Sequence, residues 1–600
     1  MTTNRYRQRI ETLRSLMKES GIHAYLIVSS DFHASEYVGD YFKCRAYMSG
    51  FTGSAGTLAV TMEEAALWTD GRYFLQAADQ LADTGILLQK MGEPGVPTFV
   101  EWIASRLEPG QTLGYDGRTI EGRLADTLHK ALDPQYIRFM ETEDLVGRIW
   151  TDRPAFPAAP IWILEEKYTG RSRKDKLDGL RRHMADCRAD RMLIAGLDDI
   201  AWLFNIRGGD IAFNPVPMAY ALIGFDKASL YVSEEAVTAD VRKELAEDGV
   251  EIRPYFAIYE DLRELPEYSS LLLDRSSCNV ALLAAVPAGV GVIHKSSWTT
   301  LQKAVKNPVE AANIRRAHIR DGAAVTKLLY WLDQIQDTGE YKEGRITELD
   351  VAARLLQLRR QQDGFLDQSF APIIAAGSHG AIVHYDPDED SNIPLVHNSF
   401  LLMDTGGQYL QGTTDITRTA VLGTVTDEMK EHYTAVLRGN LDLTGAVFHK
   451  GCSGIKLDTL ARLPLWEKGL DFNHGTGHGV GYLLNVHEGP HRIAMAGSSV
   501  PFEPGMVTSD EPGLYLAGRY GIRLENLMLC VPAFTTDQGE FYRFETLTMV
   551  PFDRRAILAD RLSGKEKKLL NAYHAAVFKN ISPYLTLEEC VWLKEMTAPV

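Results

Sequence analysis

Phe400-Leu401-Leu402-Met403-Asp404, then Gly406-Gly407, then Gly412-Thr413-Thr414-Asp415-Ile416-Thr417-Arg418: the placement of the two aspartates here organises the reading of everything around them. Four apolar residues running into a carboxylate predict a buried strand that delivers a charge to the core, which is costly unless a cation meets it. The Gly-Gly pair predicts the turn of a hairpin, bringing Asp404 and Asp415 side by side on neighbouring strands. Two carboxylates that close repel each other, and a shared divalent ion removes the repulsion. The device recurs as Met506-Val507-Thr508-Ser509-Asp510-Glu511, a predicted Pro512-Gly513 turn, and Gly521-Ile522-Arg523-Leu524-Glu525. Period-two alternation puts Arg523 and Glu525 on one face of that strand, Ile522 and Leu524 on the other.

Between the hairpins lie His474-Gly475-Thr476-Gly477-His478-Gly479-Val480-Gly481 and Asn485-Val486-His487-Glu488-Gly489-Pro490. Asp404, Asp415, His478, Glu511 and Glu525 form a hard, oxygen-rich ligand set that suits Mn(II), Co(II) or Mg(II) better than a thiolate zinc site. Four negative charges balance two dications, so the expected centre is dinuclear.

The order of these five residues, with HGTGHGVG and NVHEGP between them, resembles the pita-bread metallopeptidases, which include methionine aminopeptidase, prolidase and aminopeptidase P. Within that family the chain is most similar to the three-domain, cytosolic type of aminopeptidase P. The likeness spans nearly the whole sequence and includes SGFTGSAG (49–56), TDGRYF (69–74) and LDDIAWLFNIRG (197–208). It implies two creatinase-N-terminal-like α/β domains followed by a pita-bread catalytic domain, an α/β and α+β architecture. It also implies a cytoplasmic homodimer holding two divalent ions, Mn(II) foremost with Co(II) or Zn(II) as alternatives.

The implied reaction removes the first residue from peptides whose second residue is proline, with a metal-bridged hydroxide attacking the peptide carbonyl and the metals binding the free N-terminal amine. Glu511 is the candidate proton shuttle to the leaving prolyl nitrogen. His474 and His487 are the candidates to hydrogen-bond the carbonyl oxygen as it gains charge. His384 follows Ala381-Ile382-Val383, read as an apolar strand, and is expected with His487 to hold substrate. Arg523 is expected to orient a carboxylate, and Arg72 of TDGRYF matches a family position that reaches the peptide. A prolidase acting on Xaa-Pro dipeptides is the nearest alternative. A non-catalytic pita-bread binding module is the alternative of another class, and the complete ligand set speaks against it.

Working outward, 600 residues with 45% hydrophobic and 24% charged side chains predict several soluble globular domains. A net charge of −17 argues against a nucleic-acid partner. Six scattered cysteines lack any CxxC spacing, which suits free thiols in a reducing compartment. The longest apolar run, Val280 to Ile293, is interrupted by Pro287 and is too short to cross a bilayer, so no membrane partner is expected. Three prolines at 154, 157 and 160 mark a linker. Leu13, Met17, Leu26, Ile27 and Asp31 recur as Leu180, Met184, Leu193, Ile194 and Asp198 at one offset, a weak internal repeat. The expected domains are 1–155, 161–306 and 307–600. Ala311, Ile314, Ala317, His318 and Asp321 predict a helix ending near Trp331-Leu332, and Thr347 with Asp350 predicts a capping box opening the next. After Phe552 a helix with Leu569, Leu570, Tyr573, Val577 and Phe578 on one face serves either its own domain or a subunit contact. His487-Glu488-Gly489-Pro490-His491 spells HExxH, but Gly489 and Pro490 forbid the helix that such a zinc motif needs.

Overall fold

The apolar run Ala24–Val28 forms the central strand of a six-stranded sheet. Thr57–Thr61 pairs antiparallel on one side of it, followed by Ala65–Thr69 and Leu87–Lys90, while Thr112–Asp116 and Arg138–Thr142 run parallel to it on the other. The protein, described here from a computed structural model, is placed at residues 3–142, 144–339, 344–389 and 391–600.

A second six-stranded sheet repeats the first strand for strand. Arg191–Ile194, which begins 167 residues after Ala24, takes the centre. Ala219–Gly224 and Ala228–Val232 follow antiparallel in turn on one side, Val250–Pro254 then runs parallel to Ala228–Val232, and Ser270–Leu273 and Gly291–His294 run parallel on the other side. The repeated positions explain why the pattern is visible in the sequence. Leu13, Met17, Leu180 and Met184 are wholly buried helix residues, and Leu26 and Leu193 occupy the matching strands. Both sheets lie in one compact unit of residues 1–164 with 171–299, and the second unit holds 165–170 with 300–600.

The second unit opens on the 31-residue helix Pro308–Thr338. Asn307 caps it, its Oδ1 accepting from Val309 N and Glu310 N at 2.9 and 3.0 Å while Glu310 reaches back to Asn307 N. Such a cap contributes about 1 kcal/mol. The helix runs six residues beyond Leu332, because Ile335 still packs into the core and polar contacts hold the last turns. Gln336 accepts from Gly423 N, and Asp333 accepts from Trp592 and Arg555. Thr347 and Asp350 do form a capping box, on helix Glu348–Arg360.

These two helices cover the antiparallel sheet Ile373–Ala376, Ser399–Thr405, Ile416–Leu422. Strand Ser399–Thr405 alternates between two cores: Leu401 and Met403 join the helix side, Phe400 the opposite core with Tyr433, Ile522 and Leu524. A strand buried on both faces has nowhere to leave Asp404 in water, and that fact positions the site. A second sheet of the unit runs Val447–His449, Gly539–Thr546, Asn526–Thr536 and Val507–Asp510, with helices Asp427–Thr444 and Gly454–Trp466 in the same unit. The helix Gly564–Ile581, followed by a last helix Leu587–Met596, buries Leu570, His574, Val577 and Ile581 within this same unit.

Candidate metal centre

All five predicted ligands converge at the junction of these sheets, by a route that differs from the expected turns. Asp404 faces Thr417 across the strand pair, with Asp415 just before the start of strand Ile416–Leu422. Gly406-Gly407 is not the hairpin turn. The chain continues through Gly407–Tyr409, turns at Leu410-Gln411 and returns through Gly412–Thr413. Gly406 is required by close approach instead, because a Cβ there would overlap Ser369 Oγ and the Thr414 carbonyl. Pro512-Gly513 is likewise no turn but a break between strands. Val507–Asp510 pairs with Asn526 onward, Gly513–Leu516 pairs with Tyr520–Arg523, and the turn lies at 517–519. This break leaves Glu511 and Glu525 facing each other across the gap between the two pairings. The alternating glycines between the hairpins also serve close approach. A Cβ on Gly477 would strike the Ser509 carbonyl, and one on Gly479 the Glu488 carbonyl.

One ligand atom from each of Asp415, His478 and Glu525 lies within 4.8 Å of the others. His478 Nε2 stands 3.4 Å from Asp415 Oδ2 and 3.5 Å from Glu511 Oε1. Its Nδ1 lies 3.0 Å from the Gly479 carbonyl, which assigns a proton to Nδ1 and leaves Nε2 to serve as a ligand. Glu525 Oε2 accepts from Thr417 Oγ1 at 2.8 Å. Asp404 Oδ2 accepts from Arg523 Nη2 at 2.6 Å, while its Oδ1 is buried without a hydrogen-bond partner among the described residues. An orphaned carboxylate oxygen inside a protein is costly, and a cation there would remove the cost.

The electrostatics of the cluster favour bound cations. Burial foremost, then the Asp415 charge, hold the Asp404 carboxyl above its usual range despite Arg523. Burial and the other three carboxylates push Glu525 well above its own. Burial raises Glu511 to about 7, with His478 opposing and Asp415 adding to the rise. Burial would lower His478, but Asp415 and Glu511 overcome it and lift the imidazole to about 9. The metal-free site thus holds protons that divalent ions would displace. Both folded values lie above the unfolded ones, so this stability is complete at low pH and is lost as pH rises, through about 7 for Glu511 and about 9 for His478. Chelated protein should therefore melt at falling temperature from pH 6 to 9 while Mn(II)-loaded protein does not. The gap between the two, read by scanning calorimetry, should widen with pH; a constant gap would refute proton–metal competition.

Two side chains escaped the sequence reading. Tyr515 OH receives Arg523 Nη1 at 2.7 Å and lies 2.9 Å from His474 Nε2. With His474 Nδ1 2.8 Å from the Gly475 carbonyl, the chain of bonds runs from Arg523 through Tyr515 to an accepting Nε2. Thr417 is the second, bridging Arg523 Nε at 3.3 Å and Glu525. A tyrosine and a threonine inside apolar strands give no signal of their own in a sequence.

His487 stacks edge-on against His478, with ring centroids 4.4 Å apart. His384 lies in a turn, not on a strand. The Glu348 carboxylate gathers Ala376 N, His379 Nδ1, Tyr385 OH and Ile393 N, folding that segment around one point. The neighbouring Val383 carbonyl meets Arg523 Nη1 at 3.4 Å, so His384 is adjacent to the centre. Arg72 belongs to the first unit, where it grips Asp70 through Nε and Nη2 at 2.8 and 2.7 Å. The HExxH string carries no helix, and His491 Nε2 faces the Val507 carbonyl instead.

The family model for metallopeptidase family M24 matches residues 312–532, and one for the C-terminal region of peptidase M24 matches 540–600. Creatinase/prolidase N-terminal domain models match 9–149 and 152–310. Aminopeptidase P2 of Arabidopsis thaliana is 39% identical over 98% of this chain and 88% of its own. The chain belongs to metallopeptidase family M24. The probable Xaa-Pro aminopeptidase P of Sordaria macrospora is 41% identical over 98% of this chain and 99% of its own. Among solved structures, the X-prolyl aminopeptidase from Caenorhabditis elegans, described as a cytosolic enzyme with a di-nuclear active site, superposes with a TM-score of 0.94. It is 34% identical and covers 99% of both chains. The two tandem domains and the M24 domain of this chain therefore have the predicted fold. No helix among the described residues is long and apolar enough to cross a membrane.

Proposed function

We infer that this chain is a metal-dependent aminopeptidase that releases the N-terminal residue from peptides with proline in second position. The observation that carries this is the full-length likeness to an X-prolyl aminopeptidase with a di-nuclear site, supported by the clustering of Asp415, His478 and Glu525 in this chain. We assign Asp404, Asp415, His478, Glu511 and Glu525 to two divalent ions, Mn(II) by preference, since four of the five ligands are carboxylates. Such ions supply Lewis acidity and a water-derived nucleophile at neutral pH.

The protein's own groups do the rest. Glu511, with its carboxyl near 7 in the metal-free site, is poised to take a proton and deliver it to the leaving prolyl nitrogen. His487, packed on the ligand His478, faces the same centre and is assigned to the carbonyl oxygen. His474 is held by Tyr515 on Nε2, so its share in that task requires it to exchange that bond for one to substrate. Arg523 orients Asp404 and opposes its protonation, and His384 is assigned to the proline side. A cytoplasmic location and homodimeric assembly are carried over from the family resemblance, and light scattering of the pure protein reads the latter.

The test is hydrolysis of Arg-Pro-Pro, Arg-Pro and Arg-Ala-Ala by Mn(II)-loaded protein. Release of arginine from the first at least ten times faster than from the others is the expected result. Cleavage of the dipeptide alone would move the assignment to a prolidase.

A further inference from the structure

Helices Pro308–Thr338 and Glu348–Arg360 bring Asp321 and Arg359 together in the core behind the metal-bearing sheet, both wholly buried. Arg359 Nε and Nη2 donate to the two Asp321 carboxylate oxygens at 2.7 and 3.0 Å. The pair does not close on itself. Arg359 Nη2 also donates to Thr405 Oγ1 at 3.1 Å, and Asp321 accepts from Thr414 Oγ1 at 2.7 Å and Tyr409 OH at 2.9 Å. Gly407 N–H donates to Thr414 Oγ1 and Thr414 N–H donates to the Gly407 carbonyl, each at 2.9 Å, while Ser369 Oγ donates to the Thr414 carbonyl at 2.8 Å.

Thr405 follows Asp404 and Thr414 precedes Asp415, so each threonine is the immediate neighbour of a ligand. Strand alternation turns Thr405 to the face opposite Asp404, which places the ion pair behind the sheet and the metals in front. Stability alone does not account for the pair, since apolar residues of similar volume usually serve a core as well or better than a buried salt bridge. Apolar residues could not bond to both threonines.

We propose that the Asp321–Arg359 pair is a positioning device for the metal centre, tying Thr405 and Thr414 together from behind and so fixing the spacing of Asp404 and Asp415 before any ion arrives. Neither residue touches substrate or metal. This inference rests on reading the five residues as a dinuclear site.

Mn(II) binding by calorimetry to metal-stripped Thr414→Val and Asp321→Leu/Arg359→Met proteins tests it, beside the melting temperature of each metal-free form. Both should bind Mn(II) about 10–100-fold more weakly than the wild type, the usual cost of losing a group that orients a ligand. Thr414→Ser, which restores the hydroxyl, should recover the affinity. Wild-type affinity in Thr414→Val overturns the proposal, as does a lowered melting temperature with unchanged affinity, which would mark a purely structural pair. If the double variant does not fold, Thr414→Val decides. A wild-type protein that takes up no Mn(II) would sink the metal-site reading itself. Two ions held equally by all forms would sink only this proposal.

Discussion

Glu525→Gln should lose Mn(II) from the centre and lower kcat/KM for Arg-Pro-Pro by more than the ~100-fold that disturbing a ligand's supporting partner costs. The substitution keeps volume and the Thr417 hydroxyl within reach, but removes one of four negative charges that balance two dications. It also replaces a carboxylate with a weakly coordinating amide. In the metal-free protein the same change should be nearly silent. Burial and three neighbouring carboxylates push Glu525 well above the usual range, so without metal its charge is a cost to the fold that the neutral amide removes. Metal content by atomic emission, turnover, and metal-free melting temperature together check the prediction. A variant that holds two ions and turns over normally would remove Glu525 from the ligand set.

Arg523→Met should produce the largest loss of stability at the site. The guanidinium is 2% exposed and is bonded to Asp404, Tyr515 and Thr417. Removing one partner of a buried pair costs about 3–5 kcal/mol because the other is left uncompensated. Here the carboxylate can answer by holding a proton, so the loss should be smaller at pH 5 than at pH 8. Metal-loaded protein should suffer less than chelated protein, since the dications take over the neutralising role. Arg523→Lys should recover only part, because an ammonium cannot reach Asp404, Tyr515 and Thr417 at once. Equal melting temperatures for wild type and Arg523→Met without metal would refute this assignment.

What the sequence made legible was the chemistry that is local in it. A carboxylate at the end of an apolar run, glycines alternating with histidines, and a helix–strand pattern repeated at one offset each carry their own signal. Asp404, Asp415, Leu13 and Leu180 could therefore be placed before any coordinates. What stayed hidden depends on partners distant in the chain. Gly406 and Pro512 read as turns, yet the true turns lie at Leu410-Gln411 and 517–519, because close backbone approach and a strand break use the same residue types as a turn. Tyr515 reaches His474 across 41 positions, and Arg359 meets Thr405 across 46, so neither role has a local pattern. His384 looked like a strand end because Ile382 and Val383 are apolar. Glu348, more than 30 residues upstream, bends that segment instead.

The most direct test of the account follows arginine release from Arg-Pro-Pro while metal-stripped protein is titrated with Mn(II). The predicted result is no turnover without metal and a rate that rises to a plateau as two ions bind per chain. Turnover by the stripped protein, or two bound ions with no turnover, would contradict it.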